Sequence, residues 1–128
     1  MITADDRCPC GGATYATCCG PLHDGAPAVT AEALMRSRYS AFALRLDAYL
    51  LATWADATRP RDLDLDDRVR WRRLQIVDTA RGSADDTTGV VEFRAASRSA
   101  DGAGVLHERS RFVREDGRWV YLDGEIVD

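Results

Sequence analysis

All four cysteines of this 128-residue chain fall between residues 8 and 19, in the stretch RCPCGGATYATCCGPLH. The spacing is Cys8-x-Cys10, seven residues, then Cys18-Cys19. Such crowding leaves few solutions. The opening residues MITADDRCPC carry no charged-then-apolar signal region, and no run approaches the ~18 apolar residues of a membrane span. The expected compartment is therefore the cytoplasm, where thiols stay reduced and disulfides are disfavoured. Bridges within Cys8–Cys10 or Cys18–Cys19 would in addition close tight, strained rings. A redox motif would offer Cys-x-x-Cys beside a βαβ pattern, and inert cysteines would be scattered through a core.

Zinc fits the spacing. A tetrahedral site with Zn–S near 2.3 Å needs sulfurs roughly 3.8 Å apart. Adjacent Cα atoms are about 3.8 Å apart, so Cys18 and Cys19 can share an edge of the tetrahedron where the backbone turns. Pro9 holds Cys8 extended, and Gly11 and Gly12 let the chain fold back with N–H groups free to meet thiolates. His23 is a reserve ligand should one vicinal cysteine face away. With four sulfurs present, it reads as a solvent-facing residue in a Gly/Pro loop.

The run CPCG, a tyrosine, then CCG resembles the SEC-C motif, a short zinc-binding module of bacterial proteins. The resemblance implies Cys8, Cys10, Cys18 and Cys19 as ligands of a structural Zn²⁺. The segment GATYAT after Gly11 is one residue shorter than the usual motif and lacks its lysine.

Beyond a Pro/Gly-rich connector at 20–29, Thr30 is placed to cap a helix with Glu32 in its first turn. Leu34, Phe42, Leu46, Leu50 and Trp54 recur at multiples of four, with Met35, Tyr39 and Ala43 alongside. Asp47 is expected to cap a second helix running to about Trp54, with LRLD as the bend between the two. From residue 69 the period changes to β-rich runs separated by Gly/Asp turns, with EDG and ADGAG as hairpin signals. Helices first and an antiparallel meander afterwards predict an α+β layer fold.

The segments EALMRSRYSAF, YLLATW, TRP and LHERSRFVREDGRWVYLDG, together with the cysteine motif, resemble the YchJ family of bacterial proteins. That resemblance implies a zinc knuckle and connector over 1–25. It implies a nuclear transport factor 2-like (cystatin-like) cone over 26–128, two helices packed on a curved antiparallel sheet. It says little of activity, because this fold hosts enzymes and inert adaptors alike.

Inside such a cone, Val91, Phe93 and Ala95 form an apolar face that packs on the helices, leaving Glu92 and Arg94 outside as a solvated pair. Leu106, Glu108, Ser110 and Phe112 oppose His107, Arg109, Arg111 and Val113. Glu108 is thus the weak catalytic candidate: turned inward, it would be a half-buried carboxyl with a raised pKa and some capacity as a general base. The competing reading is an ion pair with one of the many arginines. His107, on a face with Arg109 and Arg111, reads as exposed. Arg68, Arg70, Arg72 and Arg73 flank Trp71, but DLDLDD immediately before them cancels their charge, and the net charge is −4. Nucleic acid is therefore an unlikely partner. In a regular strand Arg70, Arg72 and Leu74 would alternate with Trp71, Arg73 and Gln75. Tyr39, Trp54, Trp71, Trp119 and Tyr121 are expected mostly in the core, with Trp119, Tyr121 and Asp123 on one side of the last strand.

These expectations combine into a cytoplasmic, non-membrane binding or adaptor module with a structural zinc, which contacts another protein through its knuckle. The alternative is a small-molecule enzyme or ligand-binding protein working through the cone's cavity.

Overall fold

The structure, a computed structural model, describes residues 2–127. After a single 3-10 turn at Tyr15–Thr17 come three helices, α1 (Cys19–His23), α2 (Ala31–Leu44) and α3 (Asp47–Ala52). Four strands follow, β1 (Arg70–Arg81), β2 (Thr88–Ser99), β3 (Gly102–Glu115) and β4 (Arg118–Ile126), in one antiparallel sheet of order β1-β2-β3-β4. This is the expected α+β architecture. None of its helices is long and apolar enough to cross a membrane.

Thr30 caps α2 as its sequence suggests: its Oγ1 accepts the Ala33 N–H at 3.0 Å. The LRLD bend is made by Arg45, which ends α2 in the left-handed region (φ 58°, ψ 50°). Two expectations shift here. The N-cap of α3 is Leu46, and Asp47 is the first helical residue, its carboxylate accepting the Ala48 N–H at 2.8 Å. The helix stops at Ala52, because Thr53–Ala55 turn away to run beside β4. There Tyr121 N–H donates to Thr53 O and Ala55 N–H to Tyr121 O, both at 2.8 Å. The 20–29 connector is also helical at its start, since α1 runs to His23.

The β3–β4 hairpin turns through Asp116 (φ 53°) and Gly117 (φ 81°), the paired positive φ of a tight type I′ connection. Cross-strand pairing then sets the faces. Phe93 lies opposite Glu108, Ala95 opposite Leu106 and Val91 opposite Ser110, and all six side chains point toward α2. Irregularities at Trp71/Arg73 and Ile76/Asp78 in the β1–β2 ladder, and at Arg111/Phe112 in the β3–β4 ladder, bend the sheet into a half-cone.

Those bulges overturn two alternation expectations. The extra residue at Arg72 puts Trp71 and Leu74 on the same inner face, paired with Ser97 and Ala95. The extra residue at Leu122 sends Asp123 outward, where it pairs with Arg111, while Trp119 and Tyr121 stay inside. One extra residue reverses the parity of everything beyond it. The core that results joins Leu34, Met35 and Tyr39 of α2 to Val91, Phe93, Phe112 and Trp119 of the sheet, and it includes Cys8, Cys10 and Cys19.

Candidate functional site

The N-terminal segment folds back on itself through backbone hydrogen bonds. Cys8 N–H reaches Ala13 O at 2.9 Å, Gly11 N–H reaches Cys8 O at 3.0 Å, and Tyr15 N–H reaches Asp6 O at 2.8 Å. Gly11 turns the chain with φ 92°, a conformation L side chains rarely adopt. The 3-10 turn and α1 bring the second cysteine pair back over the first. As a result the Sγ atoms of Cys8, Cys10, Cys18 and Cys19 all lie within 4.8 Å of one another. Cys10 and Cys18 sulfurs are 3.4 Å apart, and Cys18 and Cys19 are 4.0 Å apart. These separations straddle the roughly 3.8 Å edge of a tetrahedral thiolate site. The donor set, its size and its geometry fit a metal ion.

The cluster rests on α2. Ser40 Oγ–H donates to Cys19 Sγ at 3.3 Å and lies 3.6 Å from Cys8 Sγ, and Arg36 donates to Cys10 O at 3.2 Å. Cys8, Cys10 and Cys19 are buried, while Cys18 is half-buried at the outer side. Cys10, Cys18 and Cys19 perturb one another unequally. Hydrogen bonding from Cys19, opposed by burial and helped by the Gly12 N–H, pulls Cys10 down to about 4. Burial, then the hydrogen bond to Cys10, pushes Cys18 up to about 12, and hydrogen bonding to Cys10 raises Cys19. A Cys10 thiolate beside the Cys18 and Cys19 thiols is an arrangement from which a divalent ion would displace the protons.

His23 takes no part in the cluster, and it is not the solvent-facing loop residue expected from its neighbours. At the end of α1 it accepts the Tyr15 O–H at Nδ1 (2.5 Å), donates from Nε2 to Ser37 O (2.8 Å), and packs edge-on against Tyr49. Burial lowers its pKa, so the neutral ring is the form that docks.

On the concave side of the sheet, Glu108 faces the interior. It does not form the expected arginine pair. Its Oε2 instead accepts hydrogen bonds from Ser110 Oγ at 2.6 Å and the Tyr121 hydroxyl at 3.2 Å. Gly124 on β4 makes room for it, because a Cβ there would overlap the Glu108 carboxyl. The side chain lines a cavity of about 270 Å³ together with Arg38, Tyr39, Trp54, Trp71 and Phe93. Burial brings the Arg38 guanidinium down to about 10, still cationic at neutral pH. Its NH1 donates to Leu50 O (2.8 Å) and Thr53 Oγ1 (2.7 Å), and the group stacks on Trp54 and Tyr121.

The outer face also departs from expectation. Glu92 pairs with His107 at 2.7 Å and Arg109 at 3.1 Å, and Arg94 stands exposed apart from it. His107 is accordingly half-buried. Its hydrogen bond, with that of Arg109, holds the Glu92 carboxyl below the usual range. Arg70, Arg72 and Arg73 are exposed, Arg68 pairs with Asp66 before β1 begins, and Trp71 turns inward against Tyr39.

Two residues of these sites went unread in the sequence, Arg38 and Ser40. Arg38 interrupts the apolar stripe midway between Leu34 and Phe42, Ser40 lies on the other side of α2 four residues after Arg36, and both are buried. That interruption was the available signal. It is weak, because a long arginine on such a stripe commonly reaches out to solvent.

A family model described as "YchJ, middle NTF2-like domain" matches residues 30–124. A UPF0225 protein of Streptomyces coelicolor is 58% identical over 94% of this chain and 96% of its own length. Another from Chromobacterium violaceum is 52% identical over 94% of this chain and 93% of its own length. The solution structure of a SEC-C motif containing protein from Rhodopseudomonas palustris superposes with a TM-score of 0.82 at 35% identity, covering 95% of this chain and 99% of that one. A crystal structure of a SEC-C motif containing protein from Psychrobacter arcticus gives 0.81 at 30% identity, covering all of this chain and 86% of that one. The cysteine cluster of this chain thus sits on the first long helix of a nuclear transport factor 2-like cone, and the chain belongs to the YchJ (UPF0225) family.

Proposed function

We propose that this chain is a cytoplasmic binding or adaptor protein whose knuckle is built on a structural zinc held by Cys8, Cys10, Cys18 and Cys19. The observation that carries the reading is the enclosure of the sulfur cluster: four thiols within 4.8 Å, three of them buried, with Ser40 of α2 against Cys8 and Cys19. Four protein thiolates complete a tetrahedral shell and leave no position for a reacting water, which is the pattern of a structural site. All-sulfur donors favour zinc over hard cations such as Mg²⁺ or Ca²⁺. The metal's work is then to fix a segment too short and glycine-rich to bury a core of its own, at a binding free energy on the order of 10 kcal/mol. The exposed rim of the knuckle, Gly11 and Ala13–Thr14, is what it presents to a protein partner.

Metal analysis of protein purified under reductant should return about one zinc per chain, and Cys10→Ser should lose it. A pull-down from the native cytoplasm, run with the unaltered chain and with Cys10→Ser, tests the adaptor role. Partners retained equally by both would remove the knuckle from the contact, and a metal-free wild-type protein would remove the zinc.

A further inference from the structure

The cavity under the sheet is chemically unlike the rest of the core. Its aromatic walls come from Tyr39, Trp54, Trp71, Phe93 and Tyr121. Yet the Tyr39 hydroxyl and the Trp54 indole N–H are buried with no hydrogen-bond partner among the described residues, and no other buried side-chain polar atom there shares that condition. Buried polar groups are almost always paired, so two unpaired ones carried by residues of a single cavity wall need a reason. Tyr39 is only 3% exposed, so bulk water does not solvate it.

The remaining polar groups are held in place. The Glu108 carboxyl is fixed through Oε2 by Ser110 and Tyr121, which leaves Oε1 without a hydrogen bond from any described residue. Arg38 is tied by NH1 to the end of α3 and lies against the Trp54 and Tyr121 rings. One group of each sign on the walls means that a neutral guest leaves no charge unbalanced. An apolar cavity of roughly 150 Å³ already admits benzene. At about 270 Å³ this one has room for two fused rings, near the small end of ligand pockets, roughly 300–1,000 Å³.

We propose that the cone binds a small, flat, neutral heteroaromatic molecule of one or two rings, whose acceptor atoms meet the Tyr39 hydroxyl and Trp54 indole N–H and whose ring N–H meets Glu108. Flat rings suit the aromatic walls, and the polar atoms on the guest supply the partners the protein lacks.

The test uses the unaltered full chain and three probes. 2-Quinolone and 4-quinolone carry a carbonyl and a ring N–H on neighbouring and on opposite positions of the same two-ring frame. Naphthalene supplies the frame without polar atoms. At least one quinolone should saturate the protein below millimolar concentration and move the Trp54 indole N–H resonance downfield, with the resonance assigned by its loss in Trp54→Phe. It should bind at least tenfold tighter than naphthalene. Tyr39→Phe should weaken that quinolone about tenfold, change naphthalene affinity less than twofold, and unfold at the same or a higher temperature. The resonance shift is read on the unaltered chain, so the test survives a variant that folds badly. The inference is overturned if neither quinolone moves the Trp54 resonance at millimolar concentration, or if naphthalene binds as tightly, which would mark a merely apolar void. A lower unfolding temperature for Tyr39→Phe would also overturn it, because the hydroxyl would then be stabilising the fold itself.

Discussion

At Gly12 a methyl group would stand 2.7 Å from Cys18 Sγ and 3.5 Å from Cys10 Sγ, whereas at Gly11 nothing lies within 4 Å of a Cβ. Gly11 is instead required by its φ of 92°. The two neighbouring glycines should therefore fail differently. Gly12→Ala pushes the Cys18 sulfur off the cluster and should weaken zinc binding on the order of 10- to 100-fold, the scale seen when a group that positions a metal ligand is removed. Gly11→Ala leaves the sulfurs alone and should cost about 1–2 kcal/mol of backbone strain in the folding free energy. Competition against a chromophoric chelator separates the two, and equal zinc affinity for wild type and Gly12→Ala would refute the packing argument. Residue-level legibility was uneven for a physical reason. The cysteines announce themselves by spacing alone, a local property. The inward turn of Glu108 depends on its pairing with Phe93 across a hairpin, and nothing within β3 itself decides it.

Among the elements, α1 is held less by its own five residues than by the neutral ring of His23, wedged between Tyr15, Ser37 and Tyr49. Burial lowers the folded-state pKa of that ring below its ordinary value of 6.5. Between the two values the unfolded chain binds more protons than the folded one, so this group lowers stability as pH falls below about 6.5 and contributes no pH dependence above it. Denaturant melts from pH 7.5 to 5.5 should show a decline that His23→Gln flattens, with the difference in slope at most about 1.4 kcal/mol per pH unit. Parallel profiles for the two proteins would remove His23 as the cause. Element types, the Thr30 cap and the strand-separating turns were readable because capping, helical periodicity and Gly/Asp turns act within a few residues. The end of α3 and the inner face of β1 were not. Thr53–Ala55 leave the helix to pair with Tyr121 far along the chain, and the bulge at Arg72 answers to the curvature of the whole sheet.

Over the whole molecule, knuckle and cone share one interior: Cys8, Cys10 and Cys19 pack in the same cluster as Leu34, Met35 and Tyr39. Removing the zinc should accordingly loosen the entire fold. Chelation, or Cys10→Ser, should lower the midpoint of a single unfolding transition by roughly 10 °C, as expected if about 3 kcal/mol is lost by a domain near this size. An unmoved midpoint, with faster amide exchange confined to residues 2–23, would show the knuckle melting by itself. The sheet carries a consequence of a different kind. Along β4 the backbone of Thr53–Ala55 and the Thr58 side chain already occupy the middle of the rim, whereas β1 is paired on one side only and bears Arg70, Arg72, Arg73 and Arg81. Strand-by-strand recruitment of further copies needs two vacant margins per molecule. With the β4 margin interrupted at its middle and the β1 margin guarded by like charges, association by this route is opposed at both edges.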